Sequence, residues 1–289
     1  MIPIVDSCVS LSQNNYTLND YLSDASGFHV MRMVAVQQSP TPLTFPPPSS
    51  SRSPSVLVSN DANMCLEDAK YLQTQSTTRG SGGLPNGIVA YCDLSDSGSI
   101  HKLLDCNDVQ NLRGFHQEFK PDVSLTIEDA NDLLVSWRQS IAQITTAKLS
   151  IDITASIRLS AVLEAFACKY PDVNLVINVV VDINQDNLDF EQWLSLLLCL
   201  SSYTNVYLKL SCSKIRLRQS KIAEFSTFLT RAVSTFGAER ILFASGLNAS
   251  VDSKTFSSQW DKFVSAAEQL TARQRDRVFR LNAMGVYKL

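Results

Sequence analysis

The chain has 289 residues, 45% of them hydrophobic and 18% charged, with a formal net charge of -3. That length is ample for one large α/β domain with a well-buried interior. The near-neutral balance, without clustered positive charge, excludes a non-specific nucleic-acid surface. The apolar runs around 175–181 and 194–200 are far too short to span a bilayer, so neither a nucleic acid nor a membrane is expected as a partner.

The N-terminus shows no basic segment ahead of an apolar one, so no secretory signal is expected. The seven cysteines are odd in number, with none at Cys-x-x-Cys spacing, and several lie inside apolar segments. Reduced thiols and a cytoplasmic location follow as the expectation. The triplets Asn15-Tyr16-Thr17 and Asn248-Ala249-Ser250 are then chance matches to a glycosylation pattern.

In chain order, residues 2–6 are expected as a strand, 17–23 as a helix and 29–36 as a second strand. A Pro/Ser-rich segment at 39–54 contains Pro46-Pro47-Pro48 and Ser49-Ser50-Ser51. Its composition cannot bury a core, and it reads as a surface loop or lid. A helix is expected at 63–75, a strand at 88–92, a short helix at 97–104 and a strand at 109–115. Residues 126–143 are expected as one long helix, with Thr126 and Asp129 at capping-box distance and Leu133, Leu134, Trp137 and Ile141 on one face. A strand at 148–153 and a helix at 159–169 follow.

The run 174–181 is apolar on both faces, as a buried parallel strand requires. A helix at 188–200 carries Trp193 on its apolar side. Then come a strand at 205–210, a helix at 220–236, a strand at 240–245 and a helix at 254–270. Thr271 caps a last helix at 272–279. Eight alternating units in this length point to a single-domain (β/α)8 barrel over 1–289. The alternative, an open doubly wound sheet, is disfavoured because no Gly-x-Gly-x-x-Gly follows the first strand.

Several segments match a known family in order along almost the whole chain. Val5-Asp6-Ser7 looks like its first strand and 68–73 like its early helix. Gly87-Ile88-Val89-Ala90-Tyr91-Cys92-Asp93-Leu94 is similar to its third strand, and Leu112-Arg113-Gly114-Phe115-His116-Gln117 to its fourth. Segments 205–211 and 240–246 resemble strands seven and eight, and Asn282-Ala283 with Tyr287 and Leu289 resembles the closing segment. On these segments the chain resembles the amidohydrolase-related family, specifically its branch of sugar-acid and dicarboxylic lactonases.

The resemblance implies a mouth lined with ligands from separate strands, histidines and a carboxylate able to hold a divalent metal. The departures fall on those positions. Cys8 and Ser10 stand where the first strand would carry His-x-His. Asn178 to Val181 replace an Asp-His, and Ala244-Ser245-Gly246 replaces Gly-Ser-Asp. The expectation is therefore no metal and no cofactor, in a barrel that has become a pseudoenzyme or binding or scaffold protein. The alternative is a metal-independent lactonase-like hydrolase of a small carboxylated lactone.

The candidate catalytic residues are His116, Lys209 and Cys8. The mouth candidates for substrate binding are Asp6, Ser10, Arg158, Ser211, Ser245 and Asn248. His29 is expected at the bottom of the barrel and His101 on a surface helix. The acidic residues Asp182, Asp186 and Asp189 read as a solvated loop. The partners left open are a small-molecule ligand at the mouth and a protein partner or second copy of the chain.

Overall fold

The structure is a computed structural model that describes residues 2–13, 15–38, 58–119, 123–180, 188–211, 215, 222–247 and 255–289. Eight strands run β1 Pro3–Val9, β2 His29–Val36, β3 Gly87–Tyr91, β4 Leu112–Glu118, β5 Ser150–Ala155, β6 Leu175–Val179, β7 Val206–Ser211 and β8 Ile241–Ala244. They form one sheet in sequence order, every adjacent pair parallel. With helices between the strands this is a (β/α)8 barrel, and the open-sheet alternative is excluded.

Closure between β1 and β8 is made differently from the other seven joins. One parallel bridge pairs Val9 with Leu247. The Gly246 N–H donates to the Cys8 carbonyl at 2.9 Å and the Ser10 N–H to the Leu247 carbonyl at 2.7 Å. Lower on the seam two side chains take over. The Ser7 hydroxyl donates to the Phe243 carbonyl at 2.9 Å, and the Ser245 N–H donates to Asp6 Oδ1 at 2.9 Å. The register of β1 is irregular between Asp6 and Val9, which is why side chains replace ladder bonds there.

Strand alternation sorts the residues into two shells. Ile4, Ile88, Phe115, Ile151, Ile177, Leu208 and Phe243 face outward into the helix-covered core. Val5, Val34, Val89, Val176 and Leu242 face the barrel interior, where they pack with Ala283, Val286 and Tyr287. The outer shell over β8 is aromatic: Phe243 stacks on Phe263 at 4.3 Å, and Phe263 meets Trp260 at 5.8 Å.

Several expectations shift. The expected 126–143 helix is two helices, Ile127–Ser136 and Arg138–Thr146, meeting at Trp137, where ψ opens to -8°. The capping box of Thr126 and Asp129 is present, as are those of Thr17 with Asp20 and Thr271 with Gln274. The strand expected at 109–115 lies at Leu112–Glu118, so His116 sits inside a strand rather than at its end. The expected last helix stops at Asp276 and passes through a π turn, Arg277–Leu281, into a helix at Asn282–Val286. The Pro/Ser-rich segment at 39–54 lies outside the described residues, as do Asp182 and Asp186. Among the described residues, no helix is long and apolar enough to cross a membrane.

Candidate functional site

Val176 apart, polar side chains predominate among the inward positions on β4 to β7. On β5 the alternation is Ser150, Asp152 and Thr154 inward against Ile151 and Ile153 outward. His116 comes from β4, Asn178 from β6, and Lys209 and Ser211 from β7. The opposite side, β1 to β3 and β8, contributes mainly valine and leucine. The interior is therefore half polar and half apolar.

One network centres on Asp152. The Lys209 ammonium donates to its Oδ2 at 2.6 Å, and the Tyr287 hydroxyl donates to the same oxygen at 2.6 Å. The Ser150 hydroxyl donates to Oδ1 at 3.2 Å. Both charged side chains are 1% exposed, and the ammonium also lies 5.1 Å from the centre of the Tyr287 ring. Burial, then the neighbouring Asp152 charge, pushes the Tyr287 phenol well above its ordinary range. Tyr287 is therefore a neutral donor at physiological pH.

A second network lies beside the first, since His116 and Asp152 are register partners. His116 Nδ1 is 2.9 Å from the Gln37 carbonyl oxygen, and Nε2 is 2.9 Å from Thr154 Oγ1. A carbonyl only accepts, so Nδ1 carries the proton. Burial pushes the imidazole pKa down, which favours the neutral ring, so Nε2 must accept from the Thr154 hydroxyl. That hydroxyl in turn accepts from Asn178 Nδ2 at 3.3 Å.

A third group lies at the seam. Asp6 is fully buried. It accepts from the Ser245 N–H, more distantly from the Cys8 N–H at 3.5 Å, and from the Tyr21 hydroxyl at 3.3 Å. Desolvation raises its pKa to about 6, opposed by these hydrogen bonds. Asp6 is a clasp between β1, β8 and the Leu18–Asp24 helix, which carries Tyr21.

Of the sequence candidates, the structure brings His116 and Lys209 together around Asp152. Cys8 is partly buried, packs against the inner valine cluster and lies in electrostatic reach of Tyr287. Ser211 is buried at the end of β7. Asp6 and Ser245 sit at the seam, where their polar atoms hold the barrel closed. Ser10 is partly buried with its N–H on Leu247. Arg158 is exposed on the 3-10 turn Ile157–Leu159 after β5. Asn248 lies outside the described residues. His29 is exposed at the start of β2, and His101 is paired with Asp105 at 3.2 Å on the surface.

Asp152, Thr154, Gln37 and Tyr287 were not among the candidates. The signal for two of them was present: Ser150, Asp152 and Thr154 alternate with isoleucines, which marks a strand with one polar face. Gln37 and Tyr287 carry no such signal, since each reaches the interior from outside the strands.

Comparison with known proteins matches the amidohydrolase family model to residues 73–289. The chain belongs to the amidohydrolase family. A curated relative in Sinorhizobium fredii, the uncharacterized protein y4mH, is 24% identical over 290 residues, covering 95% of this chain and 86% of that protein. Among solved structures, an amidohydrolase from Burkholderia multivorans with bound zinc superposes with a TM-score of 0.71 at 17% identity, over 99% of both chains. A candidate 2-pyrone-4,6-dicarboxylic acid hydrolase from Pseudomonas putida gives 0.67 at 14% identity, over 100% of this chain and 98% of that one. These likenesses carry the fold.

A divalent metal, as held by the Burkholderia protein, does not fit the donors that the described residues bring together. Among the described residues no three of His, Cys, Asp and Glu converge. Both His116 nitrogens are engaged, and Asp152 already holds a cation, the Lys209 ammonium.

Proposed function

We propose that this family member is non-hydrolytic, a pseudoenzyme whose barrel serves to bind a small molecule at its mouth. The observation that carries this reading is the state of His116. Its only free lone pair, on Nε2, accepts from Thr154, and its only proton is held by the Gln37 carbonyl. A general base must reach the proton it removes within hydrogen-bond distance, directly or through one water. A ring engaged at both nitrogens and 5% exposed offers no such contact. Lys209 is likewise held by Asp152, and Asp6 lies in the seam.

The mouth keeps features suited to binding. Polar groups converge on one side of an otherwise apolar interior, as in small-molecule sites. Exposed Arg158 follows β5 and can take a carboxylate through a bidentate pair. That residue also supports the second reading, a metal-independent hydrolase of a small carboxylated lactone.

A lactone and ester panel separates the two readings. The non-hydrolytic barrel shows no turnover above the uncatalysed rate, and purified protein retains no stoichiometric zinc or manganese after dialysis. Turnover that is abolished in both His116→Ala and Asp152→Asn would establish the hydrolase instead.

A further inference from the structure

Two thiols stand exposed on the outer wall of the barrel. Cys168 is the penultimate residue of the Ser160–Lys169 helix, and Cys199 holds the same place in the Leu188–Leu200 helix. Among the described residues these are the exposed cysteines, while Cys65 and Cys92 are buried and Cys8 and Cys106 half-buried. The two helices are consecutive in the wall and pack against each other. Each cysteine shortly precedes the next strand, β6 or β7, so both lie at the barrel end opposite the mouth.

The other flanks of the helices show which way the thiols turn. Phe190 stacks on Phe228 of the Ile222–Phe236 helix at 4.7 Å. At roughly 100° per residue, Cys199 lies about 180° round the helix from Phe190, on the flank toward the Ser160–Lys169 helix. Just past the end of that helix, the Tyr170 hydroxyl donates to the Leu134 carbonyl at 3.0 Å, on the far side. Cys168 turns the other way and meets the side chain of Tyr203, in the turn that follows Cys199. The Tyr203 phenol is pushed up by Cys168, through its charge and then a hydrogen bond, and Cys199 acts on it in the same direction. One phenol hydroxyl is thus within reach of both sulfurs.

We propose that Cys168 and Cys199 are a redox pair that closes into a disulfide under a hydroperoxide, tying two wall helices together away from the mouth. Oxidation needs an accessible thiolate and a second thiol to resolve it, and this pair supplies both. The Cys168 thiolate attacks the peroxide; an S–O bond forms, the O–O bond breaks, and hydroxide leaves and is protonated to water. The Cys199 thiolate then attacks the sulfenic sulfur; the S–S bond forms and a second water leaves. Two thiols lose two electrons, and one hydrogen peroxide becomes two waters. A disulfide sets its Cα atoms about 5.5–6 Å apart, and with each cysteine in the last turn only the helix ends need draw together.

The test treats the full chain with hydrogen peroxide at neutral pH, blocks the remaining thiols with iodoacetamide and maps the peptides without reduction. The main product should be a linked pair of peptides carrying Cys168 and Cys199, separated again by dithiothreitol. Cys168→Ser and Cys199→Ser should each abolish that product, and the wild-type map stands without either variant. Both thiols oxidised but unlinked, as sulfinic or sulfonic acids, would overturn the pair. A link from either cysteine to another cysteine of the chain, or to a second chain, would overturn it as well. None of these outcomes depends on whether the mouth hydrolyses a lactone.

Discussion

Lys209 and Asp152 come from strands separated by β6, yet their charged atoms lie 2.6 Å apart with each side chain 1% exposed. Removing one partner leaves an uncompensated charge in a dry interior. Lys209→Met should therefore cost about 3–5 kcal/mol in urea unfolding, and Asp152→Leu a similar amount. The double variant should cost less than the two single losses added together, because the pair's attraction must also offset its desolvation. Strict additivity would mean that the two charges do not interact.

Thr154 carries two hydrogen bonds at once, donating to His116 and accepting from Asn178. Thr154→Val keeps the shape and leaves both partners unanswered. It should cost about 2–4 kcal/mol, roughly two buried polar groups. In the wild type, nitrogen spectra at neutral pH should show the proton of His116 on Nδ1. A proton on Nε2 would contradict the order of donors along the chain.

Gly114 sits directly against its β5 register partner, Ser150. A Cβ there would stand 2.9 Å from the Ser150 backbone carbonyl oxygen and would also collide with the Ser150 hydroxyl. Backbone cannot turn aside as a side-chain tip can, so Gly114→Ala should lose at least about 2 kcal/mol. At Gly87 the nearest atoms belong to side chains, Leu289 Cδ2 at 2.9 Å and Arg113 Cγ at 3.1 Å, so Gly87→Ala should cost less. Thermal melting of the two variants gives the order.

Asp6 and His116 make stability depend on pH with opposite signs. The Asp6 pKa stands near 6 in the folded protein against an ordinary 3.8, so the folded state binds its proton more tightly. Its contribution is fully present below about pH 4 and is lost as pH rises through 6, about 3 kcal/mol in all. The His116 pKa is lowered by burial, so its contribution is full above 6.5 and falls as pH drops below that value. Between pH 4 and 6.5 the two partly cancel. Asp6→Asn removes one of them, and its denaturation midpoint should fall more steeply on acidification than the wild type's. Parallel pH profiles for the two proteins would show that Asp6 does not titrate in this window.

The regular spacing of apolar runs was enough to specify eight strands and the barrel, because burying a parallel strand on both faces leaves a nearly continuous hydrophobic record. Thr126 and Asp129 likewise announced a helix start, since a capping box is a local event. The break at Trp137 was not legible. The apolar spacing runs straight through it, with Leu133, Leu134, Trp137 and Ile141 all buried.

The site divides in the same way. His116, Lys209 and Cys8 stand out in the sequence as chemically capable residues on expected strands. What each one meets is a matter of the closed barrel: Gln37 enters after β2, Tyr287 rises from the segment after Asn282–Val286, and Asp6 reaches across the seam to Ser245. A sequence determines which side chains a strand turns inward, because alternation is local. Only the tertiary structure decides whether an inward lysine meets solvent or Asp152, because that depends on which distant strands the closure brings within 3 Å.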